Sequence, residues 1–316
     1  MRICLMIEGQ EGVTWDEWLA LARTCEESGL EGLFRSDHYV STINETKLGS
    51  LDAWAVLCGL AAITERIRLG TLVSPATFRH PSLLAKMVTT ADHISDGRVE
   101  LGAGAGWFEK EHTAYGFDFP PTNERLEILA EQLEIIHGEW SEEEFSFNGA
   151  YYSLEGVHAK PTALQRPHPP LILGGSGGRK SLALAAKWAD EYNTLFTTVE
   201  GARARRSALD DALVSQRRAP GDFTLSLMTT CIVGRDESEL RRRVQDVLTR
   251  TNNDKPVDDY IAGASRERLV GTTDQVIERL NRYAEAGVGR VMLQHLNHPD
   301  LEMVKLIGSD LVPALA

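Results

Sequence analysis

Short, uninterrupted apolar runs alternate along this chain with longer amphipathic segments, and that rhythm restricts the fold more than any single residue does. The runs lie at 3–7, 32–35, 67–73, 98–104, 171–175, 191–196, 225–233 and 290–294. They lack strict polar alternation, as parallel strands covered on both faces do. Helical patterns separate them at 14–28, 52–64, 81–95, 124–137, 180–188, 201–216, 237–249 and 273–286. The first shows its start in the residues: Thr14 stands as N-cap with Glu17 three positions on, and Gly29 follows as a stop. Repeated βα units mean a parallel sheet with helices outside. Eight of them favour a closed (β/α)8 TIM barrel over an open doubly wound sheet.

Two regions interrupt the rhythm and read as insertions, one after strand four and one before strand five. Residues 104–121 form a loop of glycines, aromatics and prolines. Residues 141–170 begin with a hairpin whose turn is expected at Asn148-Gly149, and continue into an extended, proline-rich connection. The whole chain, 1–316, reads as one barrel domain. Net charge is −13, which argues against nucleic acid as the main partner. No apolar run approaches the roughly 18 residues of a membrane span, and the apolar N-terminus is too short for a secretory leader. Cys4, Cys25, Cys58 and Cys231 are scattered without a CxxC pair, so reduced thiols in a cytoplasmic protein are expected.

Active sites of such barrels form where the strands end. Ser36-Asp37-His38-Tyr39 follows strand two, residues 73–80 end strand three, Gly104-Ala105-Gly106-Trp107 follows strand four, and His295-Leu296-Asn297-His298 follows strand eight. Asp37-His38 is the leading titratable pair, because histidine changes charge near neutral pH and a carboxylate can orient it. A capping Asp beside a structural His is the plainer alternative. The turn Gly174-Gly175-Ser176-Gly177, before Gly178-Arg179 and a helix, can aim backbone N–H groups at a phosphate; it equally serves as a tight turn. Tyr39, Phe78 and Trp107 suit a flat ring or an apolar substrate, and His112 either lines that pocket or shapes the insertion. His80, His93, His137 and His168 read as structural. No HExxH, HxH or Cys/His spacing occurs, so no metal is expected, and no GxSxG elbow occurs.

The stretches GLFRSDHY, RIRLGTLVSPATFRHPSLLAKMVTTADHISDGRVELGAGAGWFEKEHTAYGFDFPP and RPHPPLILGGSGGRKSLALAAKWADEYN resemble the luciferase-like monooxygenase superfamily, in its coenzyme F420-dependent oxidoreductase branch. The resemblance implies a cofactor at the barrel mouth. It implies that Asp37 and His38 touch it, His38 exchanging the proton. It implies a non-proline cis peptide at Leu72–Val73 backing the ring, and a phosphate held at Gly175, Ser176 and Gly177. Gly104, Gly106 and Gly174 are assigned to the same bed. In sugar-phosphate dehydrogenases of this branch a glutamate follows the strand-four glycines. Here that position is Trp107, with Glu109 and Glu111 out of register, which argues for an apolar or aromatic substrate. The expected reaction is hydride transfer between F420 and a small organic molecule. The alternative is an FMN-dependent monooxygenase using oxygen. The sequence leaves the oligomeric state open, and a homodimer is suggested only by analogy with relatives.

Overall fold

The structure, a computed structural model, describes residues 1–43, 48–264 and 267–316. Its strands are β1 (Arg2–Ile7), β2 (Gly32–Arg35), β3 (Arg68–Thr71), β4 (Ser74–Pro75), β5 (Val99–Gly104), β6 (Phe145–Asn148), β7 (Ser153–Val157), β8 (Leu171–Gly175), β9 (Glu191–Leu195), β10 (Thr224–Gly234), β11 (Leu269–Thr272) and β12 (Arg290–Gln294). Eight positions close a parallel barrel in the order β1-β2-β3/β4-β5-β8-β9-β10-β12, with β12 returning to β1. The (β/α)8 barrel and both insertions are therefore present.

Each strand divides its side chains between two cores. In β1, Ile3, Leu5 and Ile7 face the helices, while Cys4 and Met6 join Phe34, Leu72, Ile172, Met228 and Met292 inside the barrel. Below them Arg290 closes the amino-terminal end, bonded to Glu100 at 2.7 Å and Glu191 at 3.1 Å, its guanidinium 4.8 Å from the Phe34 ring. This ionic plug fills the bottom, so the open end is the carboxyl rim. Thr14 and Glu17 form the expected capping box. Among the described residues, no helix is long and apolar enough to cross a membrane.

Local details depart from the sequence reading for identifiable reasons. The third strand does not run unbroken through 67–73. It divides into β3 and β4 around Leu72–Val73, whose peptide bond is cis. The hairpin does not turn on two residues: Asn148 pairs Ser153, because the Glu131 carboxylate gathers the N–H groups of Ala150, Tyr151 and Tyr152. The 104–121 loop contains a helix, Glu109–Tyr115, too short and too charged to show an apolar period, ended by Gly116 at φ 71°. β11 and the helix Val257–Ala264, which no apolar run announces, extend the edge of β10.

Candidate active site

β2 delivers Asp37, His38 and Tyr39 to the rim, and three layers hold them. Asp37 is buried and accepts from Arg79 at 2.5 and 3.2 Å and from the Ser74 hydroxyl at 2.6 Å. Arg79 also reaches Asp52 at 2.8 Å and the Tyr39 hydroxyl at 3.1 Å, and Trp54 donates to Ser74 at 3.1 Å. Trp54 is thus a buried brace. Phe34 is likewise buried, in the barrel interior.

His38 donates from Nδ1 to Glu111 Oε1 at 2.6 Å, and the Tyr39 N–H donates to Glu111 Oε2 at 3.0 Å. Glu111 is 0% exposed. Trp107 and Phe108 meet the imidazole edge-on, with ring centroids at 5.7 and 6.1 Å. Burial opposes charging of His38. The hydrogen bond and charge of Glu111 outweigh it, helped by Glu8 and Asp37, and hold the ring above its ordinary pKa. Glu8 is itself fixed by Gln10 at 2.8 Å and Gln294 at 2.6 Å.

Two glycine arrangements shape the surrounding wall. The half-buried Val73 side chain fits between β5 and β8, because a Cβ on Gly104 would come within 2.7 Å of it and one on Gly174 within 3.0 Å. Further along, Gly177 has φ 81°, and a Cβ there would collide with the Arg205 guanidinium. Its N–H is occupied by Tyr192 Oη at 2.8 Å, so it is not free for a phosphate. The helix Arg179–Trp188 then starts at Gly178 without a side-chain cap. Ser176 and Arg179 are exposed beside that open end. Gly106 lies at φ 81° against Thr77.

The aromatic residues separate by exposure. Trp107 is 64% exposed at the rim. Tyr39 stacks on Phe78 at 5.3 Å and leans on Tyr115 at 5.1 Å. His112 has no exposed surface: its Nδ1 donates to the Phe108 carbonyl at 2.7 Å, and its Nε2 meets the Thr77 hydroxyl at 2.6 Å, behind Phe78. His80 caps the helix Pro81–Ser95, accepting from the Ser82 N–H.

The profile of the luciferase-like monooxygenase family matches residues 2–290. The chain belongs to the luciferase-like monooxygenase family. The F420-dependent glucose-6-phosphate dehydrogenase of Microbacterium testaceum is 27% identical, over 95% of this chain and 93% of its own length. The FMNH2-dependent dimethylsulfone monooxygenase of Pseudomonas putida is 25% identical, over 93% of this chain and 86% of its own. The same fold occurs in a solved F420-dependent secondary alcohol dehydrogenase bound to an F420–acetone adduct, with a TM-score of 0.84 and 18% identity, covering 100% of this chain and 99% of that one. In this luciferase-like barrel, sequence reasoning missed Glu111, Arg79 and Arg205 as members of the site. Arg79 had a local signal, lying in the segment that ends strand three. Glu111 was noticed only as a glutamate out of register with the one expected after the strand-four glycines, and Arg205 had no signal, since each reaches the rim from a following helix.

Proposed function

We propose that this chain is an oxidoreductase, one barrel domain over 1–316, that seats coenzyme F420 at its carboxyl rim and moves hydride between it and a small organic substrate. His38 carries the reading: a buried carboxylate binds its Nδ1 while its ring stands at the rim against the paired rings of Trp107 and Phe108. The residues present fit the cofactor. Leu72 and Val73 form a wall, with Gly104, Gly106 and Gly174 beside it and Gly104 and Gly174 leaving room for the Val73 side chain, and Gly175, Ser176 and the uncapped turn at Gly178 offer amides to a phosphate near Arg179 and Arg205. When bound, the deazaflavin supplies or accepts hydride at its central ring carbon. His38 exchanges the proton with the substrate. Asp37 acts by position, since Arg79 and Ser74 occupy its carboxylate. Tyr39, Phe78 and the exposed Trp107 give the substrate an apolar surface, with His112 as support behind it.

The second reading, an FMN-dependent monooxygenase, is favoured by the likeness to the Pseudomonas putida dimethylsulfone enzyme. Titration with each cofactor, followed by oxygen uptake with the reduced forms, separates the two. The expected result is saturable F420 binding and no protein-dependent oxygen consumption with reduced FMN. Rapid oxygen consumption would move the chain to the monooxygenase reading. Arg205→Ala is expected to raise the F420 dissociation constant about tenfold or more, the loss of one charge-assisted contact. An unchanged constant would remove Arg205 from the phosphate site.

A further inference from the structure

We propose that Glu111 is the positioning residue of this site: its carboxylate holds the His38 ring with Nδ1 inward, so that the exchanged proton resides on Nε2 at the rim. The inference rests on the reading that His38 exchanges the proton. Its own support is geometric. One carboxylate oxygen takes Nδ1–H at 2.6 Å, and the other takes the Tyr39 main-chain N–H at 3.0 Å. The carboxylate is therefore anchored to the backbone immediately after His38, and the imidazole inherits that orientation. Glu111 is fully buried, so water does not compete for either oxygen.

The other charged groups acting on His38 are Glu8 beyond β1 and Asp37 beside it, and each carries partners of its own. Trp107 and Phe108, packed on each other, cover one side of the ring with uncharged edges. Among the described residues, Glu111 is the one charged group bonded directly to the ring, and together they hold His38 protonated to higher pH than a free histidine. For a carbonyl substrate the step balances as follows. With hydride supplied to the carbonyl carbon by the reduced deazaflavin, which would be left oxidised, the Nε2 proton would reach the oxygen, an alcohol would form, and His38 would be left neutral with Nδ1–H still on Glu111. Solvent then returns the proton to Nε2.

The test is an NMR titration of ring-labelled histidine in the full chain without cofactor, in the wild type, Glu111→Gln and Glu111→Asp. The wild-type midpoint should lie above the ordinary value of about 6.5, and Glu111→Gln should lower it by about one pH unit or more. Glu111→Asp, which keeps the charge, should stay nearer the wild type. The acidic form's limb in the kcat profile should move with the midpoint, while the F420 dissociation constant stays within about twofold, because Glu111 acts on proton occupancy and not on binding. Equal midpoints in all three proteins overturn the proposal. The wild type also decides it alone: above the midpoint, nitrogen shifts should show the Nδ1–H tautomer, and an Nε2–H tautomer overturns it whether or not the variants fold. None of these readouts uses cofactor or substrate except the kcat profile and the F420 constant. The underlying role of His38 is judged separately by the turnover of His38→Ala.

Discussion

Replacing His38 by alanine is expected to lower turnover by about a hundred- to ten-thousand-fold, the usual contribution of a positioned acid–base group. The Michaelis and cofactor dissociation constants should change far less, since the change removes a proton carrier and leaves the Val73 wall and the Gly178 turn in place. The variant should fold with reduced stability, since the buried Glu111 carboxylate loses its imidazole partner but keeps the Tyr39 N–H, so turnover is compared below the variant's own unfolding temperature. Stopped-flow hydride transfer with F420 would measure the step directly. Turnover within threefold of the wild type would show that the proton moves elsewhere. The loss should also be pH-dependent in a defined sense. Wild-type activity in the direction that needs the acid is present below the raised His38 midpoint and declines as pH rises through it, whereas residual His38→Ala activity should lack that limb.

Arg290→Ala should produce the largest loss of stability, about 3–5 kcal/mol, the cost of leaving a buried charge without its partner. Arg290 is 1% exposed and binds Glu100 and Glu191 inside the barrel. Removing it leaves Glu191 facing the Glu100 carboxylate, which retains Arg68 as its partner. Burial and the nearby Glu100 charge already push the Glu191 carboxyl up, against the pull of Arg290. A carboxyl whose folded pKa is raised contributes stability at low pH that is lost as pH rises through that pKa. The deficit of the variant should therefore be smaller in mildly acidic than in neutral urea titrations. An unfolding midpoint unchanged at neutral pH would show that the plug is dispensable.

Arg290 and His38 also illustrate how much was legible beforehand. The run RVMLQ announces a strand, and its first residue is an arginine that any strand end would expose to water. Closure of the barrel puts that arginine on the axis, where carboxylates from β5 and β9 meet it. Asp37-His38 was legible as a pair at a strand end. Their division of labour was not: Arg79 and Ser74 immobilise Asp37, and His38 takes its partner from Glu111, 73 positions away in sequence. The glycine turn before the helix Arg179–Trp188 was recognised, yet Gly177 itself has its N–H occupied by Tyr192.

Strand and helix periods, caps and the strand-end location of the titratable pair depend on neighbours within a few residues, and the amino-acid order alone determined them. Which carboxylate faces which imidazole, which amide is free, and where a strand breaks depend on groups brought together across the closed barrel. Short polar helices such as Glu109–Tyr115 have no apolar period to reveal them, because their place comes from the two buried polar side chains Glu111 and His112 and not from a hydrophobic face. For that reason the fold could be read along the chain, while the chemical pairing at its rim was decided only by tertiary contact.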